Sequence, residues 1–286
     1  MASSSEGYTA SEYIQHHLQH FATGKQTSIV DFSIINLDTI FFSLLSGLLV
    51  LFFLRRAAIK AHSGVPNRFQ GFVELLVEQV EAQSKSIVHG DRRFIAPLAL
   101  TVFSWVVAMN AFDLLPVDLL PMLWANSLTA AGVVASPHDV YMRVVPTADL
   151  NGSLGIAIGV LVLMLYYSIK IKGALGFAKE LFCAPFGNHP VLWLANFVLN
   201  IIEFGAKTVS LGMRLFGNMY AGELVFMLIA LLGGFVTLSL GGAFMFIGHI
   251  ITGSIWAIFH ILIVLLQGFI FMMLTLIYLG QSHQAH

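Results

Sequence analysis

The sequence has little charge and almost no cysteine. Of its 286 residues, 10% are Asp, Glu, Lys or Arg and 57% are hydrophobic, and the mean hydropathy is +0.84. Soluble domains carry about 25% charged residues, so this composition excludes an ordinary soluble protein and indicates a polytopic membrane protein. The single Cys183 excludes an internal disulfide and a cysteine-rich metal site. The net charge of −1 argues against a nucleic-acid partner.

The sequence also lacks the motifs of soluble enzymes. It contains no P-loop, no HExxH, no GxSxG and no GxGxxG following a strand, so we expect no bound nucleotide, cofactor or metal. The N-terminus has neither a basic start nor an apolar core, so no secretory signal is expected. His16, His17 and His20 have no further ligands nearby in the sequence, and we interpret them as a solvated polar helix end rather than a metal site.

Long apolar runs dominate what is present. A membrane helix needs about 20 mostly apolar residues, and five tracts qualify, at 37–54, 94–115, 150–169, 189–232 and 241–280. The last two are about twice the length needed to cross the hydrocarbon core. Neither has an internal proline past Pro190, which favours two very long, steeply tilted helices over two hairpins. We therefore predict an all-α polytopic protein, folded as a single membrane domain over 1–286.

The basic residues predict the orientation in the membrane. Seven of the 14 Lys and Arg residues lie between Arg55 and Arg93, whereas the loop 116–146 holds only Arg143. Cytoplasmic loops are enriched in Lys and Arg, so 55–93 is predicted to be cytoplasmic and the segment 1–36 to be external. Five spans then place the C-terminus in the cytoplasm.

One further helix is predicted from amphipathic periodicity rather than from length. Over 67–89, Phe69, Phe72 and Val80 fall on one side and Glu74 and Glu81 on the other. The pattern indicates a cytoplasmic amphipathic helix that lies on the membrane surface or binds a partner protein.

The last 80 residues keep three charged side chains in apolar surroundings: Lys207, Arg214 and Glu223. An arginine at the centre of a membrane helix costs about 2.5–3.5 kcal/mol on insertion scales, so such residues usually face protein or water and carry function. Glu223 follows Arg214 by nine residues, which on a helix is about 180° around and about 13 Å along the axis. The two side chains are therefore predicted to address different surroundings rather than to pair.

Other polar residues accompany these charges. Glu203, Lys207 and Asn218 share the helical face of Arg214, and Glu203 and Lys207 are four residues apart and able to pair. In the last tract, His260 and Gln267 form a polar stripe. Glu223 facing His260 would make a proton relay, whereas Arg214 would act as a fixed charge that strips protons from a carboxylate brought beside it. Hydrogen bonding between helices is the alternative interpretation of the uncharged residues and Glu223.

Four stretches of the sequence resemble a known protein family. The stretches VSLGMRLFGNMYAGELVF (209–226) and WAIFHILIVLLQGFIFMMLTLIYL (256–279) closely resemble subunit a of the F-type ATP synthase membrane sector, in its bacterial form. FSIINLDTIFFSLL (32–45) and MNAFDLLPVDLLP (109–121) resemble two further stretches of that family. The similarity runs from about residue 10 to the end.

The resemblance implies a proton-conducting stator subunit in the bacterial inner membrane, which is not an enzyme by itself. Its implied partners are a rotating ring of c subunits, the peripheral-stalk b subunits and, through them, the catalytic head. Two aqueous half-channels would reach the ring from opposite sides, separated by Arg214. The positions that match the outer half-channel are Glu223, His260, Gln267, Asn218, Asp113 and Asp118.

The family fold also implies a helical hairpin at 94–115 and 150–169. The sequence departs from the family at Thr208, where a proline is common, and at Asn200, where a glutamate is common. Glu203 shares the face of Arg214 and is a candidate, with Lys207, for the inner half-channel. A stand-alone secondary transporter and a passive membrane scaffold are the rival hypotheses. The transporter would show internal repeats and broken helices, and neither is visible.

Overall fold

A computed structural model describes residues 10–24, 33–134, 140–187, 189–233 and 240–283. Parts of the predicted external segment, residues 1–9 and 25–32, lie outside these ranges. The described residues form nine α-helices and no strand beyond one isolated bridge between Ala22 and Asn36. The helices are α1 (Ala10–His17), α2 (Leu37–Lys60), α3 (Arg68–Ile87), α4 (Ile95–Ala111), α5 (Leu119–Ala130), α6 (Leu150–Lys172), α7 (Ala174–Cys183), α8 (Trp193–Gly233) and α9 (Leu240–Gln281).

Five helices of the described chain are long and apolar enough to cross a membrane. They span Leu37–Lys60, Ile95–Leu114, Leu150–Lys172, Pro190–Gly233 and Gly241–Gln281. Every backbone group in a lipid-spanning segment must be hydrogen-bonded within the segment, which a continuous apolar helix achieves. The predicted fold class, an all-α membrane protein with five membrane helices, is confirmed.

The last two membrane helices are unbroken. α8 has 41 residues and α9 has 42, so each is about 60 Å long, twice the hydrocarbon thickness. The sequence prediction of two very long helices rather than two hairpins is thus confirmed, and their tilt stays a prediction. Between the second and third spans the chain also forms α5, a 12-residue apolar helix too short to span, which the sequence analysis did not predict.

Helix α3 occupies the predicted amphipathic segment, and part of its predicted apolar face is exposed. Asn67 caps its N-terminus by accepting a hydrogen bond from the Gln70 amide at 2.8 Å. The buried residues of α3 are Gln70, Val80 and Ser84, whereas Phe69 and Phe72 of the predicted apolar face are exposed. The contact with a membrane surface stays a prediction.

The chain divides into two compact units. The first comprises Met1–Ser46, Met109–Asp149 and Gly217–Val264, and the second comprises Gly47–Ala108, Leu150–Phe216 and Leu265–His286. The apolar cluster of the first unit is built on Val145, Ala148 and Met219. The larger cluster of the second unit joins residues of α3, α4, α6 and α9 with Val88: Val80, Val88, Ile95, Ala99, Tyr167, Met272, Leu276 and Leu279. The predicted single domain over 1–286 stays a prediction.

Two glycines of α8 lie where another helix approaches closely. A Cβ atom on Gly212 would lie 2.7 Å from a methyl group of Leu154 in α6, and one on Gly222 would overlap the His260 ring of α9. A Cβ on Gly205 or Gly217 would meet nothing within 4 Å. Of these four glycines, Gly212 and Gly222 are therefore the ones that a neighbouring helix approaches closely.

Candidate functional site

The first unit contains a buried ion pair between Arg143 and Glu223. Arg143 Nη2 donates to Glu223 Oε2 at 2.6 Å, and Arg143 Nε lies 3.2 Å from the same oxygen and 3.4 Å from Oε1. Arg143 is 7% exposed and Glu223 is 6% exposed. A guanidinium that engages both carboxylate oxygens is the strongest form of side-chain hydrogen bonding. The loop around Arg143 therefore supplies the charge that balances Glu223 of α8.

Arg143 is held on its other sides as well. Its backbone amide donates to Asp38 Oδ2 at 3.0 Å, and its Nη1 lies 3.2 Å from His20 Nε2. The ring of Tyr220 lies below the guanidinium, 5.4 Å from Cζ. Since arginine has only donors, His20 accepts at Nε2, which leaves Nδ1 to donate to Asp38, 3.3 Å away.

Asp38, the second residue of α2, binds several backbone amides near Arg143. Besides the Arg143 amide, it accepts hydrogen bonds from the amides of Phe21 and Thr39. Asp149 makes a similar junction, because its Oδ2 accepts from Asn36 Nδ2 at 2.9 Å and from Thr39 Oγ1 at 2.7 Å. These bonds hold the segment at Arg143 itself and at Asp149.

A second buried pair joins Asp113 to His260. Asp113 Oδ2 lies 2.7 Å from His260 Nε2, with side-chain exposures of 4% and 0%. The distance is that of an ion pair, although the angles are too oblique for a hydrogen bond. His260 Nδ1 has no hydrogen-bond partner among the described residues. The pair therefore has unused hydrogen-bonding capacity in a buried place, unlike the saturated Arg143.

A small cavity lies beside these pairs in the first unit. Its volume is about 30 Å³, and its polar lining consists of His17, Asp113 and Glu223, with apolar residues completing the wall. A polar cavity of this size holds a water molecule. Asp113 and Glu223 thus have space for water beside them in an otherwise apolar surrounding.

Helix α1 is fastened to the start of α5 outside the membrane-spanning helices. His17 Nε2 lies 2.9 Å from Asp118 Oδ1, and Tyr13 Oη donates to the same oxygen at 3.0 Å. His17 Nδ1 lies 3.0 Å from the carbonyl oxygen of Tyr13. Both ring nitrogens therefore face acceptors, and only the doubly protonated ring donates to both.

The electrostatics of this contact agree with its geometry. Burial lowers the pKa of His17, but hydrogen bonds to Asp118 and to the Tyr13 carbonyl, with the charges of Asp118 and Glu223, outweigh it and raise that pKa above its ordinary value. The hydrogen bond from His17 lowers the pKa of Asp118, against the effect of partial burial. Burial, followed by the charge of Asp118, raises the pKa of Tyr13.

In the second unit, Arg214 has no ion-pair partner among the residues that the structure describes. Its Nη2 lies 3.4 Å from Ser210 Oγ one turn away, and no carboxylate of the described residues lies within ion-pair distance. The side chain is half-buried, and the neighbouring Leu211 and Leu215 are buried. Arg214 lies one residue from the middle of the 41-residue helix α8. A permanent charge is thus presented halfway along a membrane helix.

Glu203 and Lys207 of the second unit have partners within it. Lys207 Nζ lies 2.6 Å from Glu203 Oε1, as the four-residue spacing predicted, and donates to Gln281 Oε1 at 2.8 Å. Asn200 donates to the carbonyl oxygens of Leu181 and Ala184, so it fastens the turn before α8. Gln267 is 2% exposed.

The structure changes the sequence interpretation of several residues. Glu223 and His260, hypothesised to face each other in a relay, have Arg143 and Asp113 as their respective charged partners. His17 and His20 are not a solvated helix end, since both are half-buried and contact carboxylates. Asp113 is buried, whereas Asp118 is exposed. Asn218, which is also in the first unit, is exposed too.

Two residues were missed although signals for them exist in the sequence. Arg143 is the one basic residue of the loop 116–146, which the orientation argument used without assigning it a partner. Asp38 is the second residue of the predicted span 37–54, so its charge at the start of an apolar tract was the available signal. Within the described residues, no group of three or more His, Cys, Asp or Glu side chains is arranged to hold a metal ion.

The sequence matches one protein family over most of its length. The family model described as ATP synthase A chain matches residues 40–280. Proteins named ATP synthase subunit a are 60% identical in Paracidovorax citrulli and 59% identical in Acidovorax sp. strain JS42, each over 100% of both chains. The protein of that name in Idiomarina loihiensis is 48% identical over 97% of this chain and 98% of its own. These relatives give no support to a stand-alone transporter. The chain therefore belongs to the ATP synthase A chain family.

Proposed function

We propose that this chain is the proton-conducting stator subunit of the F-type ATP synthase membrane sector and has no enzymatic activity by itself. The observation that carries the proposal is Arg214, a permanent cation midway along a membrane helix without an ion-pair partner among the described residues. Such a charge is costly in a membrane. It is explained when its partner is a carboxylate that arrives on another subunit.

The partners follow from this role. A ring of c subunits would bring one membrane carboxylate after another to Arg214. Peripheral-stalk b subunits would hold this chain against the catalytic head, so that rotation of the ring relative to the stator does work. The chain would lie in the bacterial inner membrane with its N-terminus outside and its C-terminus in the cytoplasm.

In this proposal the buried polar residues of the first unit form the outer proton path. Protons would reach Asp113, His260 and Glu223 from outside, with the exposed Asp118 near the mouth. Asn218, and Gln267 of the second unit, stay candidates for this path because of the resemblance. The protons would then neutralise a ring carboxylate. Only the neutral acid can rotate into lipid, because an unpaired charge there is very costly.

Arg214 would complete the cycle. A ring carboxylate that meets a fixed positive charge gives up its proton, which would leave through an inner path near Glu203 and Lys207. The same charge keeps protons from passing directly between the two paths. Coupling requires both the relay and this barrier, since a leak would dissipate the gradient without rotation.

The test is Arg214→Ala, assayed in inverted membrane vesicles. We expect the complex to assemble, as shown by blotting, while ATP-driven proton pumping and ATP synthesis fall to the level of vesicles that lack the complex. The matched control is Met213→Ala, an exposed apolar neighbour that should keep pumping. Retained pumping in Arg214→Ala would overturn the proposal.

A further inference from the structure

The second unit contains a short helix that joins two membrane helices. α6 ends at Lys172, and the part of α8 that is fit to cross a membrane begins at Pro190. The residues between them contain α7 (Ala174–Cys183). Because both neighbours of α7 in the chain are membrane helices, α7 lies close to the membrane surface at which α6 ends.

One side of α7 is fastened to α8 by two asparagine side chains. Asn200 Nδ2 donates to the carbonyl oxygens of Leu181 and Ala184, each at 3.0 Å. Asn196 is fully buried, and its Nδ2 donates to the carbonyl oxygen of Phe182 at 2.9 Å. The last carbonyl groups of a helix have no partner within the helix, so these bonds both satisfy the C-terminal end of α7 and hold it against α8.

Two pairs of stacked rings extend this contact. The ring centroids of Phe177 and Phe204 lie 6.5 Å apart, and those of Phe182 and Phe197 lie 5.2 Å apart. The order of the partners is reversed between the two helices, so α7 runs antiparallel along the first turns of α8. Those turns belong to the apolar stretch Pro190–Gly233. α7 therefore lies beside a membrane helix rather than apart from it in water.

The outer side of α7 is apolar and exposed. Leu175 in the first turn is 89% exposed, and Phe186 and Val191, which follow the helix, are 60% and 78% exposed. Exposed apolar surface of this kind marks contact with a membrane or a protein. Both ends of α7 thus need apolar surroundings. A helix that lies in the plane of the membrane surface brings both ends to lipid, whereas an upright helix brings only one.

The charges of α7 favour lipid over protein. Lys179 is exposed on the outer side, four residues after Leu175, and has no ion-pair partner among the described residues. The less exposed Glu180 accepts from Lys172 Nζ at 2.7 Å. Lysine is depleted from the centres of protein interfaces. At a membrane surface, by contrast, its stem lies along the apolar layer while its amine reaches the headgroups.

We propose that the outer face of α7, formed by Leu175, Ala178, Lys179 and Phe182, binds the phospholipid surface, with α7 lying in the plane of the headgroup layer. The inference goes beyond the proposed function, because it requires only that α6 and α8 cross the membrane. Since α7 is bonded to the first turns of α8, its contact with lipid fixes the depth at which α8 enters the membrane.

The test measures which medium touches the outer face. In a Cys183→Ser background, Leu175→Cys is labelled with a fluorescent maleimide, and the assembled complex is reconstituted into phosphatidylcholine–phosphatidylglycerol vesicles. Lipids brominated near the headgroup end of their chains should quench this label at least about twofold more than a label at Glu78→Cys, a charged and exposed position of α3. Iodide on both sides of the membrane should quench the label at Glu78→Cys more strongly.

The two quenchers separate the possible occupants of this face. Quenching of the Leu175→Cys label by lipid supports the inference. Quenching by iodide instead would show that the face lies in water, and protection from both quenchers would show that another subunit covers it; either result would overturn the inference. If Leu175→Cys does not assemble, Ala178→Cys, exposed on the same face, gives the same comparison.

A second label measures the direction of α7. Phe186→Cys should be quenched by the same lipids to within about twofold of Leu175→Cys, because both ends of an in-plane helix lie at one depth. A ten-residue helix that stood upright would span about 15 Å. Only one of the two labels would then be quenched, which would contradict the in-plane arrangement.

Reversal of one charge tests the part assigned to Lys179. Lys179→Glu places an anion against the lipid phosphates, so quenching of the Leu175→Cys label by lipid should fall at least about twofold. The matched control is Lys85→Glu at an exposed position of α3, which should leave that quenching unchanged. An equal signal in the two variants would show that the Lys179 amine does not reach the headgroups.

Discussion

At Gly222, a single hydrogen in place of a side chain decides where the His260 imidazole lies. A Cβ atom there would overlap Cε1 of that ring and would lie 3.0 Å from its Nδ1 and 3.1 Å from Asp113 Oδ2. Gly222 precedes Glu223 on the same helix. The contact between Asp113 and His260 therefore depends on a residue that has no chemistry of its own.

We expect Gly222→Ala to separate Asp113 from His260. The added methyl group overpacks a buried site, which costs about 1–3 kcal/mol in the free energy of unfolding, and proton conductance should fall with the loss of the pair. Thermal unfolding in detergent and passive conductance in vesicles measure the two effects.

The control for this prediction is Gly159→Ala in α6. A Cβ atom at Gly159 meets nothing within 4 Å, and alanine is favoured over glycine in a helix by about 1 kcal/mol. Gly159→Ala should therefore be neutral or stabilising. Equal behaviour of the two alanine variants would show that the close approach at Gly222 is unimportant.

Among the elements, the short helix α1 is a segment of low hydropathy that is held in position by its contacts with α5. Its eight residues are too few for a stable isolated helix. Tyr13 and His17 bind Asp118 at the start of α5. These contacts, rather than intrinsic propensity, hold α1 in position.

The attachment of α1 should weaken as pH rises. The pKa of His17 is raised above its ordinary value of 6.5, so its contribution is fully present below pH 6.5 and is lost as pH rises through the raised value. The pKa of Asp118 is lowered from 3.8, so its contribution is lost only in more acidic solution, as pH falls through the lowered value. We expect attachment to be strongest between about pH 4 and 6.5.

Hydrogen exchange of the α1 amides between pH 5 and 8, corrected for the intrinsic rate, measures this effect. Because the Asp118 side chain is 57% exposed, the change should stay below about 1 kcal/mol. His17→Gln should remove the pH dependence, whereas Gln15→Ala, at an exposed position of α1, should preserve it. A pH-independent exchange rate in the unmodified chain would contradict the assignment.

Orientation in the membrane is a property of the whole molecule. Among the described residues, five helices are long and apolar enough to span a bilayer. The distribution of Lys and Arg predicts which side of the membrane each loop occupies. Seven of the 14 basic residues lie in 55–93. This bias predicts that α3 is cytoplasmic and that α5 is external.

Cysteine labelling tests that orientation, because Cys183 is the only cysteine to remove. In a Cys183→Ser background, we expect Ser127→Cys in α5 to react with a membrane-impermeant maleimide in right-side-out vesicles. Ser86→Cys in α3 should react only in inverted vesicles. Both serines are exposed, so poor access within the protein does not confuse the result. Labelling on the opposite sides would reverse the predicted topology.

The sequence by itself determined the membrane helices and the unusual charges within them. Hydrophobic length is a local property, so the two long helices and the position of Arg214 at the middle of α8 follow from residues that are neighbours in the chain. The pairing of Glu203 with Lys207 was predictable for the same reason, since residues four apart share a helix face.

Only the tertiary structure decided which buried charges meet. Arg143 and Glu223 are 80 residues apart in the chain. Asp113 lies on the short turn after α4, and His260 lies on α9. Sequence separation of this size carries no information about contact, because packing of distant helices and loops sets it. The relay hypothesised between Glu223 and His260 relied on residue types alone. The fold gave each of them a different partner, since every buried charge needs a counter-charge within reach.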